Sequence, residues 1–210
     1  MGNLGAALCT AARATVGGAV FKSCLWLNPP DVWSVEDESL RVRTVAGSDF
    51  WRETYYGFTR DSGHCFALEV VGDFTAQLLV RANFRELYDQ AGLLLRIDES
   101  HWLKAGAEYS DGQTLLGSVL TDGSSDWATG TLADCSKGFW MRLGLSNGVA
   151  RVQYSLDGEQ WPMLRLARFP VAERYMIGAY CCTPEREGLE VVFSEFKVSK
   201  PLGRALHDLR

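Results

Sequence analysis

The chain has 210 residues, 47% hydrophobic and 22% charged, with a formal net charge of -5 and its basic residues scattered singly. That length fits one large domain around a single core, the balance excludes wholesale disorder, and the missing basic cluster removes nucleic acid as a main partner. No run of eighteen apolar residues occurs, so no transmembrane helix is expected.

Residues 1–24 carry Arg13 and Lys22 but no acid and are rich in Ala, Gly and Thr. They loosely resemble a transit peptide and equally fit a surface strand or a short helix. Gly2 and Cys9 offer a route to dual acylation, although the myristoylation pattern wants Ser or Thr where this chain has Ala6. The expected organisation is an N-terminal extension over 1–24, one domain over 25–200 and a tail over 201–210.

Strand signals then recur at short intervals: FKSCLWL, SLRVRTV, HCFALEVV, TAQLLVRA, AGLLLRI, HWLKAGAEY, TLLGSVLT, FWMRLGLS, VARVQYSL, MLRLARF, YMIGAYCC and LEVVFSEFKV. Asp111-Gly112, Asp122-Gly123, Asn147-Gly148 and Asp157-Gly158 separate several of them, and such dipeptides tolerate the positive φ of tight hairpins. Beyond the N-terminus, only ANFRELYDQ (82–90) predicts a helical turn, with Asn83 as its cap. About twelve strands joined by hairpins predict an all-β sandwich or jelly roll of two antiparallel sheets.

Side chains alternate along a strand, so parity sorts them to opposite faces. Ala91, Leu93, Leu95 and Ile97 fall on one face, with Leu103, Ala105, Ala107 and Tyr109 beside them. Phe139, Met141, Leu143 and Leu145 do the same further on. The opposite parity presents Gln90, Arg96, Trp102, Lys104 and Glu108, then Trp140 and Arg142, then Arg151 and Gln153. Cross-strand pairing accounts for those charges, but an indole on open water wastes apolar area, so a ligand-binding face is favoured.

Six cysteines show no CxxC or Cys/His ligand spacing, which fits reduced thiols in a cytosolic protein. Cys181 and Cys182 are adjacent and so face opposite ways. His64, His101 and His207 give no metal-site spacing, and Asp122 and Asp126 are explained as turn formers without calcium. No metal or cofactor is therefore assigned. The ExDxxE-type spacing of retaining glucanases is missing, as is a GxSxG nucleophile elbow.

SDFWRETYYGF (48–58), YDQAGLLLRIDESHWLKAGAEYSDG (88–112), SDWATG (125–130), VQYSLDGEQW (152–161), IGAYCCTP (177–184) and EGLEVVFSEFKV (187–198) together resemble domain-of-unknown-function family 1349. That family includes the fungal regulation-of-enolase protein. The resemblance runs from about Trp26 to Val198 and implies a concanavalin A-like jelly roll of the lectin and glucanase superfamily, with metabolism-linked roles and carbohydrate recognition on the concave sheet.

The leading expectation is a non-catalytic module binding a carbohydrate or sugar-like metabolite through Gln90, Arg96, Trp102, Lys104, Glu108, Trp140 and Arg142. Trp127, Tyr56 and Tyr180 join from rim loops. Phe50, Trp51 and Tyr55 read as rim-packing anchors or as further cleft residues. A regulatory protein binding a metabolic enzyme such as enolase is the alternative. A sugar-active enzyme using Glu108 and Lys104 for proton transfer is a third reading.

Overall fold

The computed structural model describes residues 20–210. Its strands are β1 (Leu25–Leu27), β2 (Val32–Glu36), β3 (Ser39–Arg43), β4 (Phe50–Arg52), β5 (Thr59–Asp61), β6 (His64–Val71), β7 (Phe74–Ala82), β8 (Gln90–Asp98), β9 (His101–Ser110), β10 (Gln113–Asp122), β11 (Ser124–Thr131), β12 (Phe139–Ser146), β13 (Val149–Ser155), β14 (Met163–Arg168), β15 (Arg174–Cys182) and β16 (Glu190–Ser199). A single 3-10 turn, Val20–Ser23, precedes them.

The first sheet has the order β1-β6-β15-β8-β9-β10-β11 and the second β14-β13-β12-β7-β16-β3-β2, all pairs antiparallel. Packed face to face they form the concanavalin A-like jelly-roll sandwich. Glycine-bearing dipeptides close the hairpins as expected: Asp111 and Gly112 between β9 and β10, and Asn147 and Gly148 between β12 and β13, all take positive φ.

Parity is obeyed in both sheets. Ala91, Leu93, Leu95, Leu103, Ala105 and Ala107 from the first meet Phe139, Met141, Leu143 and Leu145 from the second in one continuous core. Burying each large apolar side chain there contributes about 1.5–3 kcal/mol. Phe21 and Cys24, ahead of residue 25, also pack in this core, Phe21 against Phe66 and Phe196. Gly2 and Cys9 lie outside the described residues.

The helical turn expected over 82–90 does not form. Asp89 is fully buried and accepts hydrogen bonds from the Arg85 and Glu86 amides, while Tyr88 takes a φ of 61°. A carboxylate reaching back from the end of the segment replaces the cap that Asn83 would have supplied, so the chain turns rather than winds.

A small third sheet, β4 paired with β5, lies over the outer face of the first sheet. It is this hairpin that shapes the candidate site. Phe50 and Trp51 join Cys65, Leu94, Trp102, Val119, Tyr180 and Cys182 in a second apolar cluster, separate from the main core.

Candidate functional site

The face that parity assigns to polar residues is not open to water: Gln90, Arg96, Trp102, Lys104 and Glu108 are 4%, 7%, 1%, 3% and 6% exposed. The β4–β5 hairpin covers part of it and is fastened by charge. Arg96 grips Asp61 with two parallel bonds of 2.7 and 2.8 Å, a bidentate arrangement well suited to a guanidinium. Lys104 donates to the Phe50 carbonyl at 2.7 Å, to Gln90 Oε1 at 2.8 Å and to Asp49 Oδ1 at 3.3 Å. An ammonium has three donors, so all of Lys104's are engaged. Arg52 completes the attachment through its amide to Ser125 Oγ (2.9 Å) and its Nε to the Gly123 carbonyl (2.8 Å).

Beside the hairpin a pocket of about 120 Å³ remains open, with Gln90, Lys104, Glu108 and Val119 among the residues lining it. At about 30 Å³ per liquid water the pocket has room for roughly four waters or a small polar group. Strand register explains its shape. Gly92, Gly106 and Gly117 lie opposite one another on β8, β9 and β10, between the Gln90–Glu108 row and the Lys104–Val119–Trp127 row. Three neighbouring positions without side chains leave a trough in the sheet surface. A Cβ on Gly92 would stand 2.1 Å from the Ala105 carbonyl oxygen, so glycine is required there by backbone crowding as well.

The walls are aromatic. Phe58 stacks on Tyr56 at 5.3 Å, Tyr56 meets Trp51 edge-on at 5.6 Å, and Trp51 meets Trp127 at 6.3 Å. Trp127 contacts Tyr88 at 6.4 Å, and the Tyr88 and Tyr56 hydroxyls hydrogen-bond at 2.9 Å, closing a ring of four with Phe58 stacked on its outside. Trp51 is itself held by its indole N–H donating to Thr54 O at 3.0 Å. Tyr88 is positioned by the next residue: buried Asp89 binds Arg186 through two bonds of 2.8 and 2.6 Å, joining the Tyr88 loop to the loop that brings Pro184 and Glu185 to the pocket.

Glu108 is a buried acid of the pocket, with Lys104 as its nearby charge. Among the described residues nothing donates a hydrogen bond to its carboxyl, which lines the pocket. Burial, reinforced by the nearby Asp49 charge and only partly offset by Lys104, pushes its pKa up to about 7. It is therefore poised as donor or acceptor near neutral pH.

Of the expected site residues, the structure brings together Gln90, Lys104, Glu108, Trp127 and Tyr56 around this pocket. Arg96 and Trp102 share the sheet face but lie under the hairpin, Arg96 on Asp61 and Trp102 against Phe50 at 6.0 Å. Tyr180 is buried in the same apolar cluster. Trp140 and Arg142 must be moved: β12 belongs to the second sheet, so they face out on the opposite side of the sandwich, where Arg142 stacks over Trp161 at 3.5 Å. Parity distinguishes core from outside but not one outer face from the other.

Asp49, Phe58, Arg60, Tyr88, Pro184 and Glu185 were not singled out from the sequence as site residues. The density of aromatics in SDFWRETYYGF was the available signal. Asp122 and Asp126 are occupied otherwise, Asp122 by His101 at 3.4 Å and Asp126 by Arg165 at 2.6 Å. Among the described residues no group of three or more His, Cys, Asp or Glu is placed to hold a metal. His64 accepts from the Val45 amide through Nε2, so its Nδ1 donates to the Asn28 carbonyl and the ring is neutral; burial lowers its pKa. Cys181 sits in the main core and Cys182 in the second cluster, both with thiol pKa values raised by burial.

Fold and site together define a concanavalin A-like β-sandwich with a hairpin-covered face and a small aromatic-walled pocket. Residues 26–201 match the family model for the protein of unknown function DUF1349, and the chain belongs to that family. Regulation of enolase protein 1 of Saccharomyces cerevisiae is 50% identical over 184 residues, covering 88% of this chain and 93% of that protein. The crystal structure of a functionally unknown protein from Saccharomyces cerevisiae superposes with a TM-score of 0.85 at 48% identity, covering 87% of this chain and 99% of that one. A mutant of the GH43 protein BlXynB from Bacillus licheniformis superposes with a TM-score of 0.69 at 13% identity, over 90% of this chain and 38% of that one, a likeness of fold alone.

Proposed function

We propose that this protein is a non-catalytic binding module whose pocket takes a carbohydrate or sugar-like metabolite, or one ring of it. The observation that carries the reading is the closed ring of Tyr56, Trp51, Trp127 and Tyr88, extended by Phe58, beside a Glu108 carboxyl that receives no hydrogen bond from the described residues. Aromatic faces suit the C–H surfaces of a sugar ring, and a carboxyl able to accept or donate suits its hydroxyls. The third reading, proton transfer by Glu108 with Lys104, is weakened because every Lys104 donor already serves the fold. A thermal-shift screen of monosaccharides and sugar phosphates, with a glycan array, tests the proposal: stabilisation by a sugar supports it, and no hit across both sets removes it.

A second reading, a regulatory protein that binds a metabolic enzyme such as enolase, draws on the name of the Saccharomyces cerevisiae relative. One structural feature favours it: edge strand β2 exposes Val32 and Trp33, 58% and 44% accessible, away from the pocket. Co-purification of a glycolytic enzyme that is lost in Trp33→Ser would support it, and its retention would oppose it. A cytosolic setting accords with the five unpaired cysteines among the described residues. No helix among those residues is long and apolar enough to cross a membrane.

A further inference from the structure

The opposite outer face, on the second sheet, is crossed by residues 201–210. Arg151 holds this segment by donating to the carbonyls of Ala205 (3.2 Å), Leu206 (2.7 Å) and Asp208 (3.3 Å), and the Trp161 amide donates to Leu209 O at 2.7 Å. Between segment and sheet lies a cavity of about 420 Å³. Arg142, Arg151 and Arg204 all line it, and no Asp or Glu among the described residues does. Such a volume lies in the range of sites for small organic molecules.

The charge there is compensated only in part, by Asp208 within electrostatic reach of Arg204. Arg142 is buried, donating to Gln77 Oε1 at 3.3 Å and to the main-chain oxygen of Arg210 at 3.4 Å and stacking on the Trp161 ring. Burial and the two neighbouring arginines push its pKa down to about 10. The Arg151 Nε–H is buried with no hydrogen-bond partner, an open donor on a charged group. Asp208, the acid on the crossing segment, is engaged by Arg210 at 2.9 and 3.0 Å. Three cations converging on one cavity without a lining acid raise the local potential and concentrate anions.

We propose that this cavity binds a small organic anion, its phosphate or carboxylate group held by Arg142, Arg151 and Arg204. Planar guanidinium forks match either oxyanion, and the Thr75 hydroxyl is a further donor at the cavity wall. Leu166, Leu202 and Leu206 supply apolar wall for the carbon skeleton. The site lies on the other sheet from the Glu108 pocket and stands or falls independently of it.

The full chain is titrated with inorganic phosphate, with acetate, and with chloride at matched ionic strength, and amide NMR shifts are followed. The expected result is saturable movement at residues 142–153 and 201–208 with phosphate or acetate but not chloride, the stronger of the two identifying the anion class. Arg204→Ala, an exposed position that leaves the sheet intact, weakens that binding about three- to tenfold, as does Arg142→Lys, which keeps charge but loses the fork. Lys137→Ala, outside the cavity, leaves it unchanged. Equal shifts with chloride, unsaturable shifts, or full affinity in Arg204→Ala would overturn the proposal.

Discussion

The Lys104 ammonium lies 2.7 Å from the Phe50 carbonyl oxygen and 2.8 Å from Gln90 Oε1, so a single strand residue fastens the covering hairpin to the sheet. Because it is only 3% exposed, its removal leaves the Phe50 carbonyl and Gln90 Oε1 without this donor and the Asp49 carboxylate without its counter-charge. Lys104→Met should cost about 3 kcal/mol of folding stability. Urea unfolding checks this as a lower midpoint at unchanged slope.

Arg96 and Asp61 make the other charged attachment, but Asp61 keeps a side-chain exposure of 34%. Asp61→Asn should therefore cost less, about 1 kcal/mol, and the loss should be local. Amide exchange ought to quicken over residues 50–61 while the core of β8 and β9 keeps its protection.

Glu108 gives the fold a specific pH signature. Its folded pKa is raised from 4.5 to about 7, so the native state holds this proton more tightly than the unfolded chain does. Stability from this group is full below the unfolded pKa and is lost as pH rises through the folded one. Glu108→Gln removes that dependence, and its stability relative to wild type should improve by about 2 kcal/mol between pH 5 and pH 8. Paired unfolding curves at those two values measure the difference directly.

Gly106 sits where a Cβ would meet the Ala91 carbonyl oxygen at 2.0 Å, a contact with backbone that no rotamer change relieves. Gly106→Ala should destabilise by about 2–4 kcal/mol. Gly117→Ala, whose Cβ would meet the Glu108 side chain at an ordinary 3.4 Å, should cost far less while narrowing the pocket. Comparing the two by thermal unfolding separates crowding of the strands from filling of the trough.

Local rules made the sandwich legible: hairpin dipeptides marked the turns, and period-two alternation put Leu93, Leu103 and Met141 in the core. They could not show that SDFWRETYYGF folds back over the outer face, because that depends on long-range contacts such as Arg96 with Asp61. Nor could they tell one outer face from the other, and so Trp140 and Arg142 had to move. Tyr88 and Asp89 were hidden for a related reason. Asp89 finds its partner in Arg186, 97 residues away, and the local pattern of ANFRELYDQ resembles a helix until that pairing is known.

The account rests on Trp127 and Glu108 acting together on a sugar or one ring of it. The most direct test is a calorimetric titration of the best screened sugar into wild type, Trp127→Ala and Glu108→Gln, at pH 7. Trp127 is 38% exposed, so its replacement tests the aromatic wall with little effect on folding. The predicted result is saturable binding to wild type, weakened about tenfold or more in each variant. Equal affinity in all three proteins would contradict it.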